Sequence, residues 1–120
     1  VIYTKEVYRL NQPLRRFKAE FFKALAHPMR IVLLESLRSG EKSVNELQTA
    51  LDLDQSSVSR QLAVLRTRNI VEDRKDGTTV YYRVRDPAVF QLLDIAREIF
   101  NNHLIDTHAM LQQLADEETS

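Results

Sequence analysis

The stretch "DLDQSSVSRQLAVLR", residues 52–66, decides how the chain folds. From Gln55 to Gln61 it offers three serines, two glutamines and an arginine around a single apolar side chain, Val58. Leu62, Ala63, Val64 and Leu65 then turn it hydrophobic. Asp54 is placed to cap a helix, predicted over 55–68, because a short carboxylate before the first turn can accept from unpaired backbone N–H groups. That helix would carry hydrogen-bonding side chains at its start and anchor itself through Val58, Leu62 and Leu65. Just upstream, "SVNELQTAL" opens with Ser43 and Glu46 three residues apart, the capping-box spacing that starts a short helix. "DLDQ" is then a tight connection, and helix, turn of three to four residues, helix is the helix-turn-helix pattern.

Working outward, "LRRFKAEFFKALA" (14–26) places Leu14, Phe17, Phe21 and Leu25 on one face of an amphipathic helix. In "HPMRIVLLESLRSG", Pro28 suits the first helical position after a cap at His27. Ile31, Val32, Leu34 and Leu37 predict the apolar face of that helix, and Gly40 its stop. Downstream, "IVEDRK" and "TTVYYRV" flank Asp76-Gly77, a dipeptide favoured in hairpin turns, and Val80, Tyr82 and Val84 alternate as in a half-buried strand. After Pro87 a helix is predicted from about Ala88 to about Ala115. Along it Val89, Leu93, Ala96, Phe100, His103, Thr107, Met110 and Leu114 recur at heptad spacing. The closing "DEETS" reads as disordered.

The expected fold is mainly α with a small β-hairpin (α+β): a winged helix-turn-helix with extra helices at both ends. The 120 residues suit a single domain. Its expected parts are an N-terminal arm (1–13), a DNA-binding core (14–86), a dimerisation helix (87–115) and an acidic tail (116–120).

The 17 basic and 17 acidic residues cancel, so bulk charge selects no partner. The distribution says more: residues 55–71 hold Arg60, Arg66 and Arg68 and no acid, whereas residues 106–120 hold four acids and no Lys or Arg. The absence of cysteine excludes disulfides and thiolate metal sites. No run spans a bilayer and no secretion signal is legible, so a cytoplasmic location is expected. A phosphate-cradling glycine loop, a metal-hydrolase spacing and a nucleophile–base pair are all missing, which argues against an enzyme.

A helix that enters the DNA major groove needs short donors and acceptors in its first turns, where base edges lie. Gln55, Ser56, Ser57, Ser59 and Arg60 meet that need. The competing explanation is a solvated helix start, for which serine and glutamine are common. The hairpin tips the balance, since Arg74 and Lys75 could hold phosphates beside it, with Thr78 a further DNA-binding candidate at its turn. Against this, Asp73 and Asp76 dilute the charge, and a hairpin tip can simply be solvated.

"FKALAHPMRIVLLESL", "SVNELQTALDLDQSSVSRQLAVLR" and "DGTTVYYRV" resemble, in order and spacing, the ArsR/SmtB family of bacterial winged-helix repressors, over roughly residues 14–104. The resemblance implies a homodimer joined through its first and last helices, double-stranded inverted-repeat DNA as partner, and release by an inducer. Leu14 and Phe17, with Val89, Leu93, Ala96, Phe100, His103, Met110 and Leu114 of the heptad seam, are the implied interface. Metal-sensing relatives carry cysteine ligands at the third helix. The matching run here, "EKSVNELQ", has Ser43, Asn45 and Gln48 in their place, none of them a soft-metal ligand. A second family site, an Asp with His or Glu ligands on the last helix, aligns with Asp86, Ala88, Ile99 and Asn102, of which the first alone could bind zinc.

The expected function is therefore sequence-specific DNA binding by a homodimeric repressor with no metal and no cofactor, its effector unknown. One alternative is a metal-responsive repressor using His103, Asp106 and His108. Another is a winged-helix module that contacts proteins instead of DNA. Tyr3, Tyr8, Tyr81 and Tyr82 could line an effector pocket or simply pack.

Overall fold

In the computed structural model the described residues are 4–119, apart from the side chains of Val7, Tyr8 and Leu10. Tyr3 and the Tyr8 side chain, two of the four candidate pocket tyrosines, fall outside them. Among the described residues the elements are helix α1 (Lys5–Leu10), α2 (Gln12–Leu25), α3 (Pro28–Ser36) with a 3-10 turn at Leu37–Ser39, strand β1 (Lys42–Ser43), α4 (Val44–Leu51), α5 (Gln55–Thr67), strands β2 (Val71–Asp76) and β3 (Thr79–Val84), and α6 (Ala88–Thr119). The chain divides into two units, Val1–Asp86 and Pro87–Ser120.

In the first unit the caps fix the helix boundaries. The His27 ring nitrogen Nδ1 accepts from the Met29 N–H at 3.1 Å, with Pro28 at the first helical position of α3. Ser43 and Glu46 form the full capping box of α4, each side chain accepting from the other's backbone N–H at 3.1 Å. Asp52, in the left-handed region at φ 52°, ends α4, and Asp52, Leu53 and Asp54 make the three-residue turn into α5. The far end of α5 closes on a motif that no glycine announced. Asn69 takes φ 59°, its N–H donates to Arg66 O at 2.9 Å, and the Ile70 N–H donates to Leu65 O at 3.0 Å. These are the two bonds of a Schellman cap, with the buried pair Ile70 and Leu65 beneath them.

The core of this unit is built from α3, α4, α5 and the sheet. Leu33, Leu34, Leu47, Val58, Leu62 and Leu65 are fully buried. Val32, expected on the inner face of α3, is exposed, because the buried stripe is centred on Leu33, Leu34 and Leu37 and leaves Val32 to one side. The sheet has three strands, not two, in the order β1-β3-β2 and all antiparallel. Two residues, Lys42 and Ser43, suffice for β1, opposite Tyr82 and Tyr81. The hairpin pairs Asp76 with Thr79, so the central turn residues are Gly77 and Thr78, not Asp76 and Gly77. Gly77 at φ +62° supplies the positive φ that the first central position of a type II′ turn requires.

The second unit is one helix of 32 residues, α6. It runs through Asp116, Glu117 and Glu118, where disorder was expected. Gln112 Nε2 donates to Asp116 Oδ1 at 3.3 Å one turn on, and the segment is rich in helix-forming Gln, Leu, Ala and Glu. Val89 is buried, whereas Ile95, Ile99, Phe100, Leu104, Ile105, Met110, Leu111 and Leu114 are exposed. No helix among the described residues is long and apolar enough to cross a membrane.

Candidate nucleic-acid interface

The polar start of α5 is held outward by its apolar second half. Val58, Leu62 and Leu65 are buried, and Gln55, Ser56 and Arg60 are exposed, with Ser57 and Ser59 half-buried between them. The helix is capped by Asp54, whose Oδ2 accepts from the Ser56 hydroxyl at 2.6 Å and the Ser57 N–H at 3.0 Å. The Ser56 hydroxyl first, and Ser57 after it, hold the Asp54 carboxyl down at about 2. Ser56 is thereby committed to the cap, while the Gln55 and Arg60 side chains have no ion pair or hydrogen bond among the described residues.

Beside α5 lies a polar cleft of about 410 Å³ between the starts of α4 and α5 and the hairpin. Gln55 and Ser59 line one side and Thr78 the other, with Asn45 from α4 at its edge. The structure thus brings three of the expected contact residues to one cleft, and adds Asn45, which sequence pattern had marked only as a non-ligand.

The two cations of the hairpin do not act together. Arg74 and Lys75 are adjacent on β2 and so point to opposite faces of the sheet. Arg74 faces outward with its cross-strand partner Tyr81, stacked 4.8 Å from the ring centroid. Its Nη2 donates to Glu41 Oε1 at 2.5 Å and its Nε to Oε2 at 3.3 Å, a two-pronged pair. That hydrogen bond keeps the Glu41 carboxyl below its ordinary range and raises Arg74 further. Arg83 and Glu72 form a second pair on the same face at 2.5 Å. Lys75, exposed and opposite Val80 on the other face, has no acid partner among the described residues.

The acid-free arginine run after Gln55 is also partly neutralised in three dimensions. Arg66 pairs with Asp73 at 3.3 Å, seven residues on, and Arg68 with Glu20, 48 residues back. Arg60 is the one arginine of the three without an acid partner among the described residues. Arg30, which the pattern of α3 did not single out, reaches Gln61 Oε1 from Nη1 at 3.4 Å, and its Nε is buried with no hydrogen-bond partner.

Of the residues expected at a dimer seam, Leu14, Phe17, Phe100, Met110 and Leu114 are exposed large apolar groups, Ala96 and His103 are exposed, and Leu93 is half-buried. Val89 is already buried in the single chain. Ile99, Leu104 and Leu111, not placed on the seam from spacing, are exposed apolar neighbours of it on α6. His103, Asp106 and His108 are all exposed on α6, and no group of three His, Cys, Asp or Glu side chains gathers at one point among the described residues.

A capped, outward-facing polar helix start on a helix-turn-helix, with a two-stranded wing beside it, defines a winged helix-turn-helix DNA-binding transcriptional regulator, a class that carries no enzymatic activity. Residues 27–73 match the model of the bacterial regulatory protein arsR family. An HTH-type transcriptional regulator of Mycobacterium tuberculosis is 42% identical over 105 residues, 87% of this chain and 92% of that protein. The biofilm growth-associated repressor of Agrobacterium fabrum is 39% identical over 82 residues, 68% of this chain and 70% of that protein. Among solved structures, the homodimeric winged helix-turn-helix DNA-binding domain of a possible ArsR-family regulator from Mycobacterium bovis superposes with TM-score 0.69 at 32% identity, covering 77% of this chain and 85% of that one. The chain belongs to the ArsR family.

Proposed function

We infer that the protein is a cytoplasmic homodimeric repressor that reads an inverted-repeat operator through α5 and works without metal or thiol chemistry. The observation that carries the reading is the cleft shared by Gln55, Ser59 and Thr78, which offers α5 and the wing to one ligand surface. Glutamine can pair bidentately with adenine and arginine with guanine, so Gln55 and Arg60 are assigned to base edges. Lys75 is assigned to a flanking phosphate, which fixes register. Ser56 contributes through the cap, Ser57 and Ser59 through the helix start, and Arg74 at most from the outer wing face. The repressor sense is supported by the A. fabrum relative, and the dimer by the M. bovis structure.

The exposed seam of α6 and the exposed Leu14 of α2 supply apolar surface that a second copy would cover. A two-fold dimer would present two α5 helices to successive major grooves about 34 Å apart. On this account residues 14–86 bind DNA and α6 joins the copies. With no cysteine, and none of the aligned third-helix residues a soft-metal ligand, metal is no part of the switch.

The test is a fluorescence-anisotropy titration onto the DNA upstream of the protein's own gene against a shuffled duplex, in chelator and again with excess zinc. The account predicts preference for the native duplex that zinc leaves unchanged. Loss of binding with zinc would restore His103, Asp106 and His108 as ligands. No preference for either duplex would favour a protein-contacting module.

A further inference from the structure

The first unit carries a second concavity, on the side of α5 away from its polar start. It has a volume of about 600 Å³ and is bounded by α1, α2 and the residues that end α5. That volume falls within the roughly 300–1,000 Å³ of small-molecule sites. One part of its wall is aromatic: Phe17 and Phe21 stack with centroids 5.8 Å apart and planes 21° from parallel. The rest is mostly polar, and its charged groups are net cationic. Arg9, Arg16 and Arg68 line it against one carboxylate, Glu20, and Glu20 is already paired with Arg68. Arg9 and Arg16 have no acid partner among the described residues, so the cleft holds two uncompensated guanidinium groups beside a stacked pair of rings.

That combination suits one chemistry. A guanidinium binds a carboxylate through two parallel N–H donors, and the phenyl faces bury a flat apolar body. We propose that this cleft is an effector site for a small aromatic carboxylate. Its place in the fold supplies the coupling, and here the inference rests on α5 being the DNA-reading helix. Arg68 and Asn69 belong both to the cleft and to the cap that closes α5, and the Arg68–Glu20 pair ties that end of α5 to α2. A bound carboxylate competes with Glu20 for Arg68, releases this tie and lowers affinity for DNA. By linkage, DNA lowers affinity for the carboxylate by the same factor.

The test is calorimetric titration of the protein with benzoate, phenylacetate and naphthalene-2-carboxylate, and with the neutral naphthalene-2-carboxamide. The expected result is saturable binding of at least one acid, one per chain, and binding of the amide weaker by about tenfold or more, the scale of one charge-assisted hydrogen bond. Arg16→Gln should weaken the acid by a similar factor. Lys18→Gln, on the same helix but outside the cleft, should leave it unchanged. No saturable binding of any of the three acids into the millimolar range, equal binding of the amide, or equal loss in both variants overturns the site. A cleft filled by a second copy of the chain would give the first of these results. Calorimetry involves no DNA, so a failure of the α5 assignment would not disguise the outcome. Binding of an acid that leaves DNA affinity unchanged overturns the effector role.

Discussion

Arg74 and Lys75 are sequence neighbours of equal charge, and the structure predicts that they behave differently on DNA. Lys75 has no acid partner among the described residues, whereas Arg74 is gripped by Glu41 through two donors and lies over Tyr81. Each phosphate that a free cation neutralises contributes about 0.9 to the slope of log K against log salt. Between about 50 and 200 mM salt that slope is worth roughly 0.5 in log K, about a threefold change in affinity per contact. Lys75→Ala should therefore flatten the slope by about 0.9. Arg74→Ala should flatten it by less than half as much, because Glu41 already neutralises that guanidinium. Glu41→Gln leaves Arg74 only the longer 4.0 Å contact with Asp76 and should steepen the slope by up to about 0.9, and adding Arg74→Ala should cancel the gain. The pair is exposed, so its loss costs little fold stability, and melting curves would verify this. The assay is anisotropy at four salt concentrations with one duplex. Equal flattening by Arg74→Ala and Lys75→Ala, with Glu41→Gln inert, would show that Glu41 does not hold Arg74 away from the phosphates.

Three further outcomes concern the scaffold that holds α5. Ser43→Ala removes one capping-box bond, from the Glu46 N–H to the Ser43 hydroxyl, and leaves the backbone N–H of residue 43 free to donate to Glu46. At this buried position it should cost about 1 kcal/mol, read from urea midpoints, and an unchanged midpoint contradicts it. Asp54 has its pKa depressed to about 2, so its charge-dependent stabilisation is complete above the ordinary value of 3.8 and is lost as pH falls through about 2. Asp54→Asn keeps an acceptor without the charge. Wild type should exceed it in stability at neutral pH, with the gap closing across that acid window, and a gap independent of pH would contradict the assignment. Asn69 sits at φ 59°, so Asn69→Gly should be tolerated within a few tenths of a kcal/mol, whereas Asn69→Val should cost about 1–2 kcal/mol. Equal thermal shifts in the two variants would exclude strain at this position.

Much of the fold was legible because local chemistry fixes it. Caps at His27, Ser43 and Asp54 act on backbone groups two or three residues away, so spacing alone located three helix starts. The anchoring leucines of α5 follow from helical periodicity. What escaped is what distance in sequence hides. Strand β1 is two residues long and exists only because Tyr81 and Tyr82 lie across from it. Glu41 lies 33 residues from Arg74, and Glu20 lies 48 from Arg68. No local pattern announces such pairs, so the charge map of the wing and of the α5 run read as more basic than the folded surface is. The Schellman cap at Asn69 was missed for a different reason: asparagine tolerates the left-handed region less conspicuously than glycine.

If two copies of α5 read one inverted-repeat site, binding-site selection from a randomised duplex library should recover that site. The wild-type protein and Arg60→Ala would be run in parallel. The account predicts that wild type enriches two half-sites in inverted orientation, centred about 10–10.5 base pairs or a multiple of that spacing apart. Arg60→Ala should lose preference at one position in each half-site, at about 1–3 kcal/mol of discrimination. Enrichment of no motif, or of a motif that Arg60→Ala leaves intact at every position, would contradict α5 as the reading helix.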